Sequence, residues 1–91
     1  MRKAIIDLNI PSTREELHSY LKEELELPSY YGNNLDALYD CLTSVTEPLC
    51  IGLKVPFADE TDPDLYPYLE KAVRVFADAE GENRNLGVIY Y

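Results

Sequence analysis

The stretch YYGNNLDALYDCLT, residues 30–43, decides how the rest of the chain is read. A glycine and two asparagines stand ahead of Leu35, Leu38 and Leu42, whose spacing predicts a turn followed by a short helix with one buried stripe. Gly32 permits the turn, and Asn33 or Asn34 caps the helix. Opposite the leucines lie Asp36, Tyr39, Asp40 and Thr43. Asp36 and Asp40 are one turn apart, and like charges at that spacing cost an isolated helix roughly 0.2–0.5 kcal/mol. If Asn33 is the cap, Asp36 is the third helical residue, where a carboxylate complements the free amides and the dipole. Asp40 lies beyond that first turn, so folding supplies little reason for it.

Working outward toward the N-terminus, KAIIDL (3–8) is a β-prone run. Ser12 and Thr13 with Glu15 and Glu16 form two overlapping capping boxes, and Leu17, Tyr20, Leu21 and Leu25 make the apolar stripe of a first helix that Pro28 closes. Toward the C-terminus, LCIGLK (49–54) reads as a buried strand in which Gly52 is the weak point. FADETDPD (57–64) is an acidic loop with room for one helical turn. Pro67 suits the first turn of a last helix with Leu69, Ala72, Val73 and Phe76 on its stripe, Gly81 fits its end, and GENRN (81–85) connects it to a final strand, LGVIYY (86–91). Strands separated by helices pair in parallel through right-handed crossovers. The expected class is therefore α/β, a three-stranded parallel sheet packed with helices, in one domain covering residues 1–91.

A formal charge of −9 with 46% hydrophobic residues fits a folded acidic protein and excludes a disordered acidic tail. It also argues against nucleic acid as a partner, since phosphates would be repelled; a basic protein is the better match. The acidity is concentrated: no lysine or arginine occurs between Lys22 and Lys54. Tyr30, Tyr31 and Tyr39 accompany those charges, which is the composition of an interface core. Asp7 and Asn9 interrupt the apolar run behind Arg2 and Lys3, so no export signal is read, and no run approaches the roughly 18 apolar residues of a membrane span. A soluble cytoplasmic protein is expected. Cys41 and Cys50 lack metal-ligand spacing and read as reduced core thiols, with a disulfide as the alternative.

Two carboxylates invite an acid–base or metal-binding reading. Side by side on one helix they do not flank a scissile bond, and no oxygen-rich loop converges on them. His18, the single histidine, sits among apolar positions of the first helix, where a partly buried structural role is expected. Cys41 lies beside Asp40, which would raise its thiol pKa rather than activate it. Four scattered glycines build no phosphate loop. No catalytic residue, metal or cofactor is expected.

At this point LPSYYGNNLDALYDCLT (27–43) resembles the signature segment of the barstar family, intracellular bacterial inhibitors of barnase-type ribonucleases. KAII near the start, LHSYLKEELELP, EPL and VFADAEGENRNLGVIYY agree in order and spacing, and only residues 52–68 are dissimilar. The resemblance implies a parallel three-stranded sheet with helices, and an inhibitor that places its second helix and the preceding loop in a ribonuclease active site. It implies that Tyr30 and Tyr31 meet the rim and catalytic histidine of the nuclease, that Gly32 and Asn34 add main-chain and polar contacts, and that Asp36 and Asp40 meet its arginines. Asp40 would occupy the phosphate site, as a fixed carboxylate can accept the charge-assisted bonds of groups that bind phosphate. Tyr39 and Val45 stand where barstar has tryptophans, the loop after Thr43 is one residue shorter, and Asp78 replaces an outlying interface glutamate. The family's second cysteine has no counterpart. The expected partner is a basic, barnase-like ribonuclease bound one to one; the alternatives are another basic partner or toxin bound by the same kind of module, and a hydrolase using Asp36 and Asp40.

Overall fold

The computed structural model describes residues 2–91. Strand β1 (Arg2–Asp7) leads to helix α1 (Arg14–Glu24), helix α2 (Leu35–Thr43) and strand β2 (Leu49–Lys54); a short 3₁₀ turn (Ala58–Glu60), helix α3 (Tyr66–Glu82) and strand β3 (Leu86–Tyr90) complete the chain. The sheet has the order β1-β2-β3 with both pairings parallel, as the alternation of strands and helices predicts. Register places Ala4 beside Ile51 and Ile6 beside Leu53, and on the other side Leu49 beside Leu86 and Ile51 beside Val88.

That register sorts the strand residues onto two faces. Ala4, Ile6, Leu49, Ile51, Leu53 and Leu86 point into the core and are buried, whereas Ile5 and Ile89, one position along, are more than half exposed. The helices thus cover one face of the sheet. On the other, the ring of Tyr91 lies across Gly52: a Cβ there would stand 3.0 Å from Tyr91 Cε2 and 3.4 Å from Ile5 Cδ1. Gly52 leaves room for that ring: a side chain there would press on Tyr91, which would have to give way by a few tenths of an ångström. Tyr91 is held there by its own N–H, which donates to the Leu53 carbonyl (2.9 Å).

Each helix begins where its capping chemistry dictates. Thr13 Oγ1 accepts from the Glu16 N–H (3.1 Å), and the Glu16 carboxylate returns to the Ser12 N–H (3.1 Å), so the capping box reaches one residue further back than usual. Leu17 and Leu21 are buried on α1, together with His18, and Tyr20 Oη accepts the Asp7 N–H to tie the helix to the end of β1. The last helix departs from expectation at its end. Gly81 lies inside α3, no glycine has a positive φ, and Asn83 is the C-terminal cap. The physical reason is that Asn83 has other work: 8% exposed, its amide donates to the carbonyls of Leu42 (2.9 Å) and Val45 (3.0 Å), and its oxygen accepts from the Asn85 N–H (3.0 Å). At the free edge of the sheet, Glu80 accepts the Val88 N–H (2.6 Å), which satisfies a donor that no strand covers.

Helix α2 packs chiefly against α3 rather than on the sheet. Leu38 and Leu42 are fully buried in that contact, each contributing about 1.5–3 kcal/mol. A helix held through one flank only presents the opposite flank to solvent, and that flank carries the candidate site.

Candidate functional site

The segment leading into α2 is built by two residues with left-handed backbones, Glu26 (φ 52°) and Asn33 (φ 54°). Glu26, two residues past the end of α1, lets the chain turn away from the helix, with the Leu27 N–H donating to the Lys22 carbonyl in its last turn (2.9 Å). The turn before α2 therefore depends on Asn33, a residue type that tolerates this region, and not on the backbone freedom of Gly32. Gly32 is needed for space: a Cβ there would lie 3.3 Å from the Ala37 Cβ and 3.4 Å from Asn34 Nδ2. Asn34 is the cap, its Oδ1 accepting the Ala37 N–H (2.7 Å) while its Nδ2 donates to the Gly32 carbonyl (3.2 Å). With Asn34 rather than Asn33 as the cap, Asp36 becomes the second helical residue, still within the positive end of the helix dipole.

The loop tyrosines point in opposite directions. Tyr30 is 84% exposed, whereas Tyr31 is buried with its hydroxyl on His18 Nδ1 (2.7 Å). Gly32, Asn34, Asp36 and Asp40 are exposed, and Tyr39 and Thr43 are half-buried beside them. The Thr43 hydroxyl is turned back to the Tyr39 carbonyl (2.9 Å), so it closes the helix end. Asp78 is exposed on α3, the helix against which α2 packs. The structure therefore gathers Tyr30, Gly32, Asn34, Asp36 and Asp40 on one outward-facing loop and helix, and turns Tyr31 inward.

Neither aspartate is neutralised from within. Among the described residues the one ion pair joins Arg2 to Glu26 (2.9 Å). Two hollows flank the segment. The one beside Asp40, about 430 Å³, is walled by Leu25, Pro28, Tyr30, Val45 and Leu49; the one beside Asp36, about 600 Å³, by Arg14, His18, Asn34, Tyr68 and Lys71. Loop and helix thus form a ridge between depressions, a convex shape that enters another molecule's cleft more readily than it encloses a substrate.

The ionisable side chains nearby are not poised for chemistry. Burial, and after it the Asp40 carboxylate, pushes the Cys41 thiol above its ordinary value, which keeps it protonated and unreactive. Cys41 and Cys50 are both free. Burial pushes the Tyr31 phenol up as well, and holds His18 below the ordinary histidine value. No group of three or more potential metal ligands occurs among the described residues, and none of their helices is long and apolar enough to cross a membrane. His18 is more deeply buried than its sequence position predicts, at 2% exposure, and it bonds to two tyrosines. Nothing local in the sequence marks the second of these, Tyr68. Asn83 is equally unmarked, because its partners Leu42 and Val45 are distant in sequence.

Comparison with known proteins identifies the family. The model of the family described as Barstar (barnase inhibitor) matches residues 1–90. A Bacillus subtilis (strain 168) protein named "Putative ribonuclease inhibitor YrdF" is 42% identical over 83 residues, covering 90% of this chain and 89% of its own. With a family match over nearly its whole length and the family's parallel sheet and helices in place, the chain belongs to the barstar family.

Proposed function

We propose that this protein inhibits a basic, barnase-like ribonuclease, one to one, by inserting the ridge of loop 28–34 and α2 into the enzyme's active site. The reading rests above all on one observation: the carboxylates of Asp36 and Asp40 stand exposed and unpaired, one turn apart, on a helix whose start and end are both fixed by side-chain caps. Four residues of helix separate the two α-carbons by about 6 Å along the axis, so both acids reach the same side of a cleft. A ribonuclease binds phosphates with converging basic groups, and two fixed carboxylates can take up those bonds without being substrate. Tyr30 lies at the rim as a large rigid contact, Gly32 and Asn34 bring main chain close, Tyr39 and Thr43 border the acids, and Asp78 extends the acidic face along α3. Tyr31 contributes from beneath, by holding the loop.

No covalent chemistry is involved; the family and the relative point to an inhibitor rather than an enzyme. Such an inhibitor would protect the cytoplasm in which its ribonuclease is made. The replacement of family tryptophans by Tyr39 and Val45 favours a partner differing from barnase at the rim, and a different toxin domain is the alternative occupant of the same face. The test is to titrate the purified protein into a guanyl-type ribonuclease acting on a fluorogenic RNA. Complete inhibition at equimolar protein, with no RNA cleavage by the protein alone, supports the reading. Inhibition that needs excess protein, or survives when the enzyme's cleft is already filled by a nucleotide analogue, overturns it.

A further inference from the structure

Beneath the loop, three side chains from three segments meet end to end. His18 of α1 contacts Tyr31 of the loop through Nδ1 (2.7 Å) and Tyr68 of α3 through Nε2 (2.6 Å). A neutral imidazole has one donor and one acceptor nitrogen, so the two tyrosines play opposite parts. Burial keeps the ring in its neutral form at pH 7.

The contacts of Tyr31 select the tautomer. The Tyr31 hydroxyl lies within 3.5 Å of the Asn34 carbonyl, an acceptor to which it can donate only if its own oxygen receives the proton from Nδ1. At the other end, the Arg14 guanidinium sits 4.4 Å from the centre of the Tyr68 ring. That cation packs on the ring face and leaves the hydroxyl free to turn toward His18; with the proton on Nδ1, Nε2 is the acceptor and Tyr68 its donor. The chain then runs in one direction: Tyr68 O–H to Nε2, Nδ1–H to Tyr31 Oη, and Tyr31 O–H to the Asn34 carbonyl.

We propose that Tyr68 is a positioning residue for the partner-binding loop, setting the His18 tautomer and through it the orientation of Tyr31 and of the Asn34 cap that starts α2. Without the Tyr68 hydroxyl, Nε2 loses its donor. The ring is then free to take its proton on Nε2, which turns Nδ1 into an acceptor and draws the Tyr31 proton away from Asn34. Loop 28–34 loses its tie to α3 while the hydrophobic core beneath is unchanged. The role rests on the functional reading for its consequence, and on the geometry alone for its existence.

Tyr68→Phe removes the one oxygen and keeps the ring on which Arg14 rests; Tyr66→Phe on the same helix is the reference. In the free protein, nitrogen-resolved NMR of His18 should find the proton on Nδ1, and Tyr68→Phe should shift it at least partly to Nε2. Amide exchange across residues 29–34 should quicken about 3- to 10-fold relative to the sheet, the range of one ordinary hydrogen bond. Dissociation from an inhibited ribonuclease should quicken by a similar factor, with Tyr66→Phe unchanged in all three. A wild-type proton on Nε2, unchanged loop exchange in Tyr68→Phe, or equal acceleration in loop and sheet each overturns the proposal. Failure to inhibit any ribonuclease would instead count against the function, because the first two readouts are taken on the protein alone.

Discussion

Replacing Asp40 by alanine should raise stability and destroy binding, and the structure allows both halves to be worked out. In the free protein the Asp40 side chain is exposed and unpaired, so its removal costs no contact. The main chain at that position keeps its duties, since the Asp40 carbonyl accepts from the Ser44 N–H (3.1 Å) and the Ser44 hydroxyl (2.6 Å) whatever the side chain. Alanine is a better helix former, and the like charge facing Asp36 disappears; together these stabilise by about 0.3–1 kcal/mol. A second local signature follows from Cys41, whose thiol is held up by burial and then by Asp40. Thiol titration should find it more acidic in the variant. In the complex the sign reverses, because the partner's basic groups are left desolvated and unmatched, at a cost of roughly 2–5 kcal/mol or more, mostly as faster dissociation. That corresponds to a dissociation constant weaker by about 30-fold to several thousand-fold. The upper range comes from barnase and barstar themselves, so its size is inherited from the family rather than worked out from this chain. Urea unfolding and surface-based binding kinetics on both proteins decide the matter. If Asp40→Ala unfolds more easily while binding unchanged, Asp40 is a structural residue and the site assignment is wrong.

Asn83→Ala should destabilise the protein by about 2–4 kcal/mol in urea unfolding, because it strips a buried donor from two carbonyls, those of Leu42 and Val45, at the end of α2; a change under about 0.5 kcal/mol would show that water replaces the amide without cost. Association with the ribonuclease should slow steeply as salt rises, since opposite charges steer the encounter and are screened over about 10 Å at 0.1 M; stopped-flow rates flat across that range would refute steering. Stability should also fall on mild acidification. The folded pKa of His18 lies below its unfolded value of 6.5, chiefly through burial and against a smaller upward pull from Glu15. The contribution is therefore complete above 6.5 and is lost as pH drops from 6.5 toward the folded value. A urea midpoint that does not move between pH 7.5 and 5.5 would show that His18 is not held neutral.

The local patterns transferred well from sequence to structure. Leu38 and Leu42, Leu17 and Leu21, and Leu69, Ala72 and Phe76 are buried where helical spacing places them, and the strand runs pair in parallel as alternation with helices demands. Pro67 sits in the first turn of α3 as its missing N–H requires. The position of Asp36 and Asp40 on the outer side of α2 was equally legible, because a stripe of leucines fixes which side is left over.

What sequence by itself determined, then, is whatever a few neighbouring residues decide among themselves: helical period, strand alternation, caps, and the side of α2 on which the acids lie. Tertiary structure decided the rest. Gly81 looked like a helix terminator, yet α3 runs through it to Asn83, because a buried amide reaching α2 outweighs a local preference. Gly52 looked like a weak point in its strand, until Tyr91 proved to lie across it. Tyr30 and Tyr31 are indistinguishable in sequence, and one faces solvent while the other faces His18. Their difference is made by residues 13 and 37 positions away from Tyr31, His18 and Tyr68, whose hydrogen bonds exist only after α1, α3 and the loop have packed. A buried polar group must find a partner somewhere, and its partner is chosen by the whole fold rather than by its neighbours in the chain.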